Sequence, residues 1–162
     1  MAMSSETLSL VTFRVDGVAM STEENKVLAR RMFEEAGSQG NYAVIDEVIA
    51  PSFVYQASAL PDTHGPAGLK EFFAGHRSGY PDIQYTIEET VAEGETVVVR
   101  WVVSGTHLGE TRGIAPTGKT VKADGITIFR FANGQIMHGK AVWDALAFMQ
   151  QLGVIPSMGQ AE

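Results

Sequence analysis

The dipeptide Asn133-Gly134 constrains the fold of this chain more than any other sequence feature. It separates two long segments, 120–132 and 135–144, in which apolar and polar residues alternate. Asn-Gly favours a two-residue turn with positive φ at both positions, the connection that best joins two twisted antiparallel strands. The segment 120–144 therefore predicts a long β-hairpin.

A two-residue turn also fixes which residues face each other across the hairpin. Strict alternation pairs Phe131 with Ile136 and Phe129 with His138, and it places Lys140 on the same face. The other face would carry Asp124, Ile126, Ile128, Arg130, Met137, Gly139, Ala141 and Trp143. Because two of these residues are small, we expect open space between large neighbours, beside polar groups, as a pocket requires.

Three helices are predicted before the strands. Ser21 to Glu24 has the pattern of a capping box, so a helix should begin there, with Gly37 as its stop. Asn41 is suited to cap a second helix, which Pro51 would end. Pro66 is suited to the first turn of a third helix.

The period changes from helical to alternating at residue 83. Strands are predicted over 53–57, from 83 to a turn at 93–95, over 96–107 and in the hairpin, with a loop at 108–119 and a last helix at 144–152. Helices followed by antiparallel strands predict an α+β domain, with the helices against one face of a curved antiparallel sheet. The concave space between the two layers is where a small hydrophobic molecule would bind.

Composition excludes several classes of partner. The chain has 162 residues, 44% of them hydrophobic, and a net charge of -7, which predicts a single domain without attraction to nucleic acid or anionic membranes. It has no cysteine, no apolar run of membrane-spanning length and no secretory pattern, so we expect a cytoplasmic protein. We assign 21–156 to the domain, 1–20 to an N-terminal extension and 157–162 to a tail.

Many short motifs after Met20 resemble one protein family. They are Asn25 to Phe33, Gln39-Gly40-Asn41, Ala50-Pro51-Ser52-Phe53-Val54, Gly65-Pro66 with Leu69-Lys70, Val99-Arg100-Trp101, Gly105-Thr106-His107 with Gly109-Glu110, Gly113-Ile114-Ala115-Pro116-Thr117-Gly118, Ile128-Phe129-Arg130, Gly134-Gln135-Ile136, Trp143-Asp144 and Gln150-Gln151-Leu152-Gly153. In combination they resemble the SnoaL-like polyketide cyclases and related ester cyclases of the nuclear-transport-factor-two-like superfamily.

The resemblance implies a cone-shaped α+β fold that forms homodimers or homotetramers through its sheet. It also implies intramolecular aldol ring closure of an aromatic polyketide ester, without metal or cofactor. Two positions depart from the family pattern. The proton-transferring acid, three residues before the Asp that matches Asp144, is Ala141 here, and an Asp-His pair is replaced by Tyr55-Gln56. The fold therefore carries over more firmly than the reaction.

With Ala141 inert, His138 and Asp144 are the candidate proton-transfer groups. A half-buried imidazole titrates near neutral pH, which suits His138 to acid–base work, although a hydrogen-bonded structural role fits it equally well. Asp144 is either a carboxylate facing the cavity or the N-cap of the last helix, and we favour the cap. His138 can face the cavity only if a bulge or the hairpin's twist turns it there.

Six further residues are candidates for substrate binding: Tyr55, Gln56, Arg100, Trp101, His107 and Trp143. Arg100 lies in an apolar strand, so it should either anchor a substrate oxygen or pair with Asp124. Trp101 and Trp143 could stack on a flat ligand or pack the core. His107 could instead be a surface turn residue. No spacing of His and acidic residues predicts a metal site.

Three classes of function remain open at this point. The first is a cofactor-free cyclase or isomerase acting on a hydrophobic polyketide-like carbonyl compound. The second is a hydrolase or hydratase of small apolar substrates, which Val102 weakens because it occupies a position where an epoxide-opening enzyme would need an acid. The third is a non-catalytic binder of an apolar metabolite, favoured by the small residues Gly139 and Ala141.

Overall fold

The computed structural model describes residues 20–157 and residue 159. The helices are α1 (Thr22–Arg31), a π-helix that continues it (Met32–Gln39), α2 (Ala43–Val48), α3 (Gly65–Gly79) and α4 (Ala145–Leu152). The strands are β1 (Ile49–Ala57), β2 (Thr63–His64), β3 (Gln84–Glu93), β4 (Thr96–Thr106), β5 (Thr120–Ala132) and β6 (Gln135–Trp143). The predicted extension at 1–20 lies, apart from Met20, outside the described residues, as does most of the predicted tail.

The six strands form one curved sheet in the order β2-β1-β6-β5-β4-β3. This confirms the α+β class and the helices on one face of the sheet. The expectation of a purely antiparallel sheet is wrong at one position, because β1 and β6 pair in parallel. The core lies between the sheet's inner face and the helices, and its largest fully buried side chains include Phe33, Phe53, Phe129, Met32 and Ile45.

The first helix begins as predicted and ends later than predicted. Ser21 and Glu24 form both hydrogen bonds of a capping box. The helix then widens into the π-helix and ends at Gly40, whose φ is 72°, instead of at Gly37. Gly37 serves close packing, since a Cβ there would lie 2.7 Å from a ring carbon of Tyr85.

The hairpin turn is confirmed, and its register changes beyond the turn. Asn133 and Gly134 have φ of 51° and 76°, and Phe131 faces Ile136. An irregularity then shifts the pairing, so that His138 lies opposite Arg130. A β-bulge of this kind reverses the faces of all the following residues.

Because of the bulge, the inner face of β6 carries Gly139 and Ala141, while His138 and Lys140 lie on the outer face. Gly139 explains why this arrangement is favoured. A Cβ at Gly139 would lie 2.7 Å from Tyr55 and 2.9 Å from Phe129, so only glycine lets these two rings approach each other across the strand.

The outer face of the sheet exposes several apolar side chains. Val142 is 62% exposed and Ile126 46% exposed, and Val91 and Ile128 are exposed as well. No helix in the described part of the chain is long and apolar enough to cross a membrane.

Candidate functional site

A largely apolar cavity lies between the inner face of the sheet and helix α3. Its wall is largely aromatic and aliphatic, and it is formed by Phe33, Tyr55, Ala57, Leu60, Phe72, His76, Tyr80, Ile83, Tyr85, Trp101, Val103, Ser104, Gly105, Thr111, Arg112, Val121, Ala141, Trp143 and Phe148. The cavity volume is about 70 Å³. A single water molecule needs roughly 10–15 Å³, so the cavity is larger than a water site. Together with its aromatic wall, this volume suits one flat, mostly apolar group.

The cavity has one polar end, where three side chains contact each other. A guanidinium nitrogen of Arg112 lies 3.0 Å from His76 Nε2, and the Tyr85 hydroxyl lies 3.3 Å from His76 Nδ1. Arginine can only donate, so Nε2 of His76 must accept. A neutral His76 therefore carries its proton on Nδ1 and donates it to the Tyr85 oxygen.

Close packing between the end of α3 and the loop at 107–119 brings Arg112 to this position. The backbone N–H groups of Leu108 and Gly109 both donate to the Gly79 carbonyl at 3.0 Å. Side chains at Gly79 or Gly109 would overlap Thr111 or the Ser78 carbonyl, respectively, so both glycines are required for this contact. The loop is thereby held against the end of the helix.

The tip of this loop is itself a small hairpin. Thr111 and Ile114 exchange backbone hydrogen bonds of 3.1 and 2.9 Å. Arg112 and Gly113 between them have φ of 52° and 75°, as in a type I′ turn. The turn presents the Arg112 side chain to His76.

The π-helix positions Tyr85. Ser38, near its end, accepts a hydrogen bond of 2.8 Å from the backbone N–H of Tyr85. Gly37 leaves room for the Tyr85 ring, as described above. The widened helix therefore fixes both the backbone and the ring of Tyr85, whose hydroxyl then reaches His76.

Burial controls the ionisation of these groups. It lowers the pKa of His76 to about 3, and the Arg112 charge lowers it further in the same direction. Burial raises the pKa of Tyr55 to about 12, against a smaller opposite effect of its hydrogen bond with Thr127. Burial also raises the pKa of Tyr85. At neutral pH the polar end therefore consists of neutral hydroxyls, a neutral imidazole and one guanidinium.

Tyr80 adds a further hydroxyl to the cavity wall. Its side chain is 4% exposed, and its hydroxyl has no hydrogen-bond partner among the described residues. Its ring stacks on His107 at a centroid distance of 5.1 Å. His107 is held in turn by Thr117, whose backbone N–H donates to Nδ1 at 3.2 Å. His107 thus supports Tyr80 from behind.

A second, more polar pocket opens beside the first. The two share Leu60, Phe72, His76, Thr111 and Arg112. The second pocket is also lined by the carboxylates of Asp62, Glu71 and Glu110 and by His64. His76 and Arg112 therefore lie between an apolar inner space and an acidic outer one.

Three of the predicted binding residues line the cavity. Tyr55 and Trp101 form part of its wall, and the Trp101 indole N–H donates to the Thr127 hydroxyl at 2.9 Å. Trp143 also lines it, and its N–H donates to the Ser58 carbonyl at 2.8 Å.

The other three predicted binding residues lie elsewhere. Gln56 contacts Asp62 and His138 outside the cavity, at 3.1 and 3.3 Å. Arg100 projects from the outer face and pairs with Glu88 at 2.8 Å, so neither of its two predicted roles is observed. His107 is fully buried behind Tyr80.

The candidate proton-transfer residues are also outside the cavity. His138 lies on the outer face because of the bulge in β6. Asp144 is the N-cap of α4, where it accepts from the Ala147 N–H at 2.9 Å. Neither residue lines the cavity. Their catalytic roles stay predictions that this geometry does not favour.

Sequence reasoning missed His76, Tyr80, Tyr85 and Arg112. Their meeting depends on the contact between the end of α3 and a loop some thirty residues further along the chain, which no local pattern reveals. The one local signal was Arg112-Gly113 itself, a dipeptide whose glycine permits a tight turn.

No group of three or more His, Asp or Glu side chains suited to hold a metal ion occurs within residues 20–157. The cavity wall also contains no carboxylate. The residues that could contact a ligand there are donors, hydroxyls and rings.

Comparison with known proteins identifies the family. The family model of the SnoaL-like polyketide cyclases matches residues 27–152, so this chain belongs to that family. No protein of curated function matches the chain significantly.

Solved structures agree with the family and the fold. The chain is similar to a protein from Jannaschia sp. CCS1 provisionally named a SnoaL-like polyketide cyclase, with 27% identity, a TM-score of 0.76 and coverage of 83% of this chain and 95% of that one. It is also similar to AclR of Streptomyces galilaeus, provisionally named a hydroxylase, at 25% identity, a TM-score of 0.74 and coverage of 86% and 87%. An NTF2-like protein of Burkholderia xenovorans shares the fold at 19% identity, with a TM-score of 0.65 and coverage of 82% and 98%.

Proposed function

We propose that this protein is a cofactor-free cyclase or isomerase that enolises a hydrophobic, polyketide-like carbonyl compound. The observation that carries the proposal is the meeting of Arg112 and His76 in the wall of a largely apolar, ring-lined cavity. A carbonyl oxygen placed there would gain hydrogen bonds as negative charge develops on it. Its apolar body would lie between Phe33, Tyr55 and Trp101.

Two separate features support this proposal. Membership of the SnoaL-like family supports the class of reaction, and the wall composition supports an aromatic or conjugated substrate. The site differs from the family pattern because Ala141 lies in the cavity where the resemblance places an acid. The substrate C–H proton would therefore pass to a water molecule or hydroxide. The enolate carbon would then attack a second carbonyl carbon, whose π electrons move to its own oxygen, and the resulting alkoxide would take a proton from water to complete the ring closure.

A second candidate is a binder that holds an apolar metabolite without converting it. Ala141 favours the binder, because its small side chain leaves space in the cavity and carries no acid–base group. The lowered pKa of His76 favours it too, since a base that weak removes protons poorly at neutral pH.

Deuterium exchange distinguishes the two candidates. Benzoylacetone is a flat aromatic 1,3-diketone whose methylene protons exchange in D₂O through its enolate, and NMR follows the loss of their signal. If the protein is a catalyst of enolisation, exchange should accelerate about 10²-fold or more above the rate in buffer, as expected for one preorganised donor site.

Two variants make this experiment specific. Ala141→Phe should fill the cavity and abolish the acceleration, whereas His138→Ala should retain it if the outer face plays no part. Binding of benzoylacetone with unchanged exchange would establish the binder instead. Loss of the acceleration in His138→Ala would return the proton-transfer role to that residue.

We also propose that the protein is a homodimer formed through the outer face of its sheet. Ile126, Ile128 and Val142 expose apolar surface on adjacent strands there, and exposed apolar patches of this kind are characteristic of interfaces. The family resemblance implies the same partner, a second copy of this chain.

A further inference from the structure

We infer that the polar end of the cavity is an oxyanion site, formed by Arg112 and the hydroxyls of Tyr80 and Tyr85, that selects acidic enols and phenols in their ionised form. This inference rests on the proposed function and specifies its substrate class. A substrate of this class ionises in water, so the protein needs no strong base of its own. It would stabilise the anion as the proton passes to the solvent.

The hydrogen-bond directions at this end favour an acceptor. Arg112 is fixed as a donor toward His76 Nε2, which makes Nδ1 the donor toward the Tyr85 oxygen at 3.3 Å. The Tyr85 oxygen has therefore accepted one bond, and its own O–H is free to donate into the cavity. His76 acts as a positioning residue that aligns both neighbours.

The Tyr80 hydroxyl points to a ligand independently of the hydrogen bonds around His76. Its hydroxyl is a buried polar group with no partner among residues 20–157, and its ring lines the cavity. Such a group costs free energy unless a ligand or water completes it. Burial raises the pKa of the Tyr80 and Tyr85 hydroxyls, and the Arg112 charge lowers the pKa of both. Arg112, Tyr80 and Tyr85 line the same cavity, and Arg112 and Tyr85 both contact His76.

The charges around the site determine how strongly it attracts an anion. Inside, Tyr55, His76, Tyr80 and Tyr85 are neutral at pH 7, and Arg112 carries the positive charge. Outside, Asp62, Glu71, Glu110 and His64 line the adjoining pocket. No ion pair within the described chain involves Arg112. Its charge is thus available to a bound anion, which the outer carboxylates would oppose.

The ionisation of bound 4-nitrophenol tests this inference, because its anion is yellow and its neutral form colourless. An apolar cavity alone would raise the pKa of the bound phenol, since burial disfavours the charged form. An oxyanion site should lower it by about one unit or more, which is at least a tenfold preference for the anion. The sign of the shift therefore separates the two possibilities.

Variants assign the effect to named groups. Arg112→Gln should remove most of the downward shift, and Tyr80→Phe a part of it. Lys140→Gln is the matched control, because it removes the same charge from the exposed outer face of β6 and should leave the shift unchanged. Thermal unfolding of each variant checks that the fold is retained.

The inference is overturned if the pKa of the phenol rises or stays constant, if the phenol does not bind, or if Arg112→Gln shows the same shift as the parent protein. This assay requires no turnover. A downward shift without accelerated exchange of benzoylacetone would preserve the oxyanion site and remove the cyclase, so the two proposals fail separately.

Discussion

His76 affects both the geometry of the site and the stability of the domain. It is half-buried at the end of α3, and it bonds Arg112 on one side and Tyr85 on the other. Its neutral state fixes the direction of both hydrogen bonds. Protonating His76 would place a second positive charge beside Arg112 and remove the only acceptor that Arg112 contacts in the described structure.

The lowered pKa of His76 predicts a specific pH dependence of stability. Its pKa is about 3 in the folded protein and 6.5 as the reference value, so below pH 6.5 the unfolded chain binds a proton that the folded chain does not. Stability should therefore be complete above pH 6.5 and decrease as the pH falls toward 3. One such site contributes a slope of at most about 1.4 kcal/mol per pH unit.

Urea unfolding of the parent and His76→Gln between pH 4.5 and 6.5 measures this slope. Carboxylates with a lowered pKa also contribute to the slope near pH 4.5, and the comparison of the two proteins cancels that contribution. We expect the variant to show a flatter dependence of the unfolding free energy on pH, while His64→Gln, at an exposed histidine, keeps the slope of the parent. Parallel curves for the parent and His76→Gln would contradict the assignment.

At the scale of the element, the contact between α3 and the loop at 107–119 determines where Arg112 lies. The hydrogen bonds of this contact join backbone atoms, and the two glycines lie directly against Thr111 and the Ser78 carbonyl. A methyl group at Gly79 would meet Thr111 directly. The loop would have to move, and Arg112 with it.

Gly79→Ala should therefore lower stability by about 1–3 kcal/mol, as overpacking does, and weaken 4-nitrophenol binding. Gly75→Ala is the matched control on the same helix, because its new Cβ would have no atom within 4 Å. That variant should gain about 0.5–1 kcal/mol from reduced backbone entropy in the unfolded chain. Calorimetry and a binding titration compare the two, and equal effects would show that the loop contact is unimportant.

The same scale shows why sequence predicted some elements and missed others. The capping box at Ser21 and the turn at Asn133-Gly134 involve neighbours in sequence, so their local chemistry is sufficient. The bulge in β6 depends on the rings of Tyr55 and Phe129 meeting over Gly139, and Tyr55 belongs to another strand. Alternation alone therefore placed His138 on the same face as Phe129, whereas the bulge puts Gly139 on that face and His138 on the opposite one.

At the scale of the whole molecule, the sheet has two unlike faces. The inner one is covered by α1, the π-helix and α3, and the outer one is uncovered in the described chain, with Val142 its most exposed apolar side chain. A net charge of -7 makes copies of this chain repel each other and disfavours non-specific association. Burial of the apolar outer faces of two copies against each other can still outweigh that repulsion.

Light scattering should therefore give twice the chain mass of 17.5 kDa at micromolar concentration. Val142→Glu should place a carboxylate in the contact and yield the single-chain mass, with 4-nitrophenol binding retained because the cavity lies on the other face. Val27→Glu, at an exposed helix position, is the control and should remain dimeric. A parent protein with the single-chain mass would contradict this assembly.

The turn that carries Arg112 also has a consequence for how this architecture can diversify. Arg112 belongs to a loop that is anchored at Gly79 and by the backbone hydrogen bond from Gly118 to His107, while most core residues lie on strands and helices. Replacing the few residues at its tip would change the charge that a ligand meets and leave the hydrophobic interior untouched. The shape of the cavity and the charge that acts on a ligand can thus change independently. A short insertion or deletion in this loop can therefore give the same fold a different chemistry.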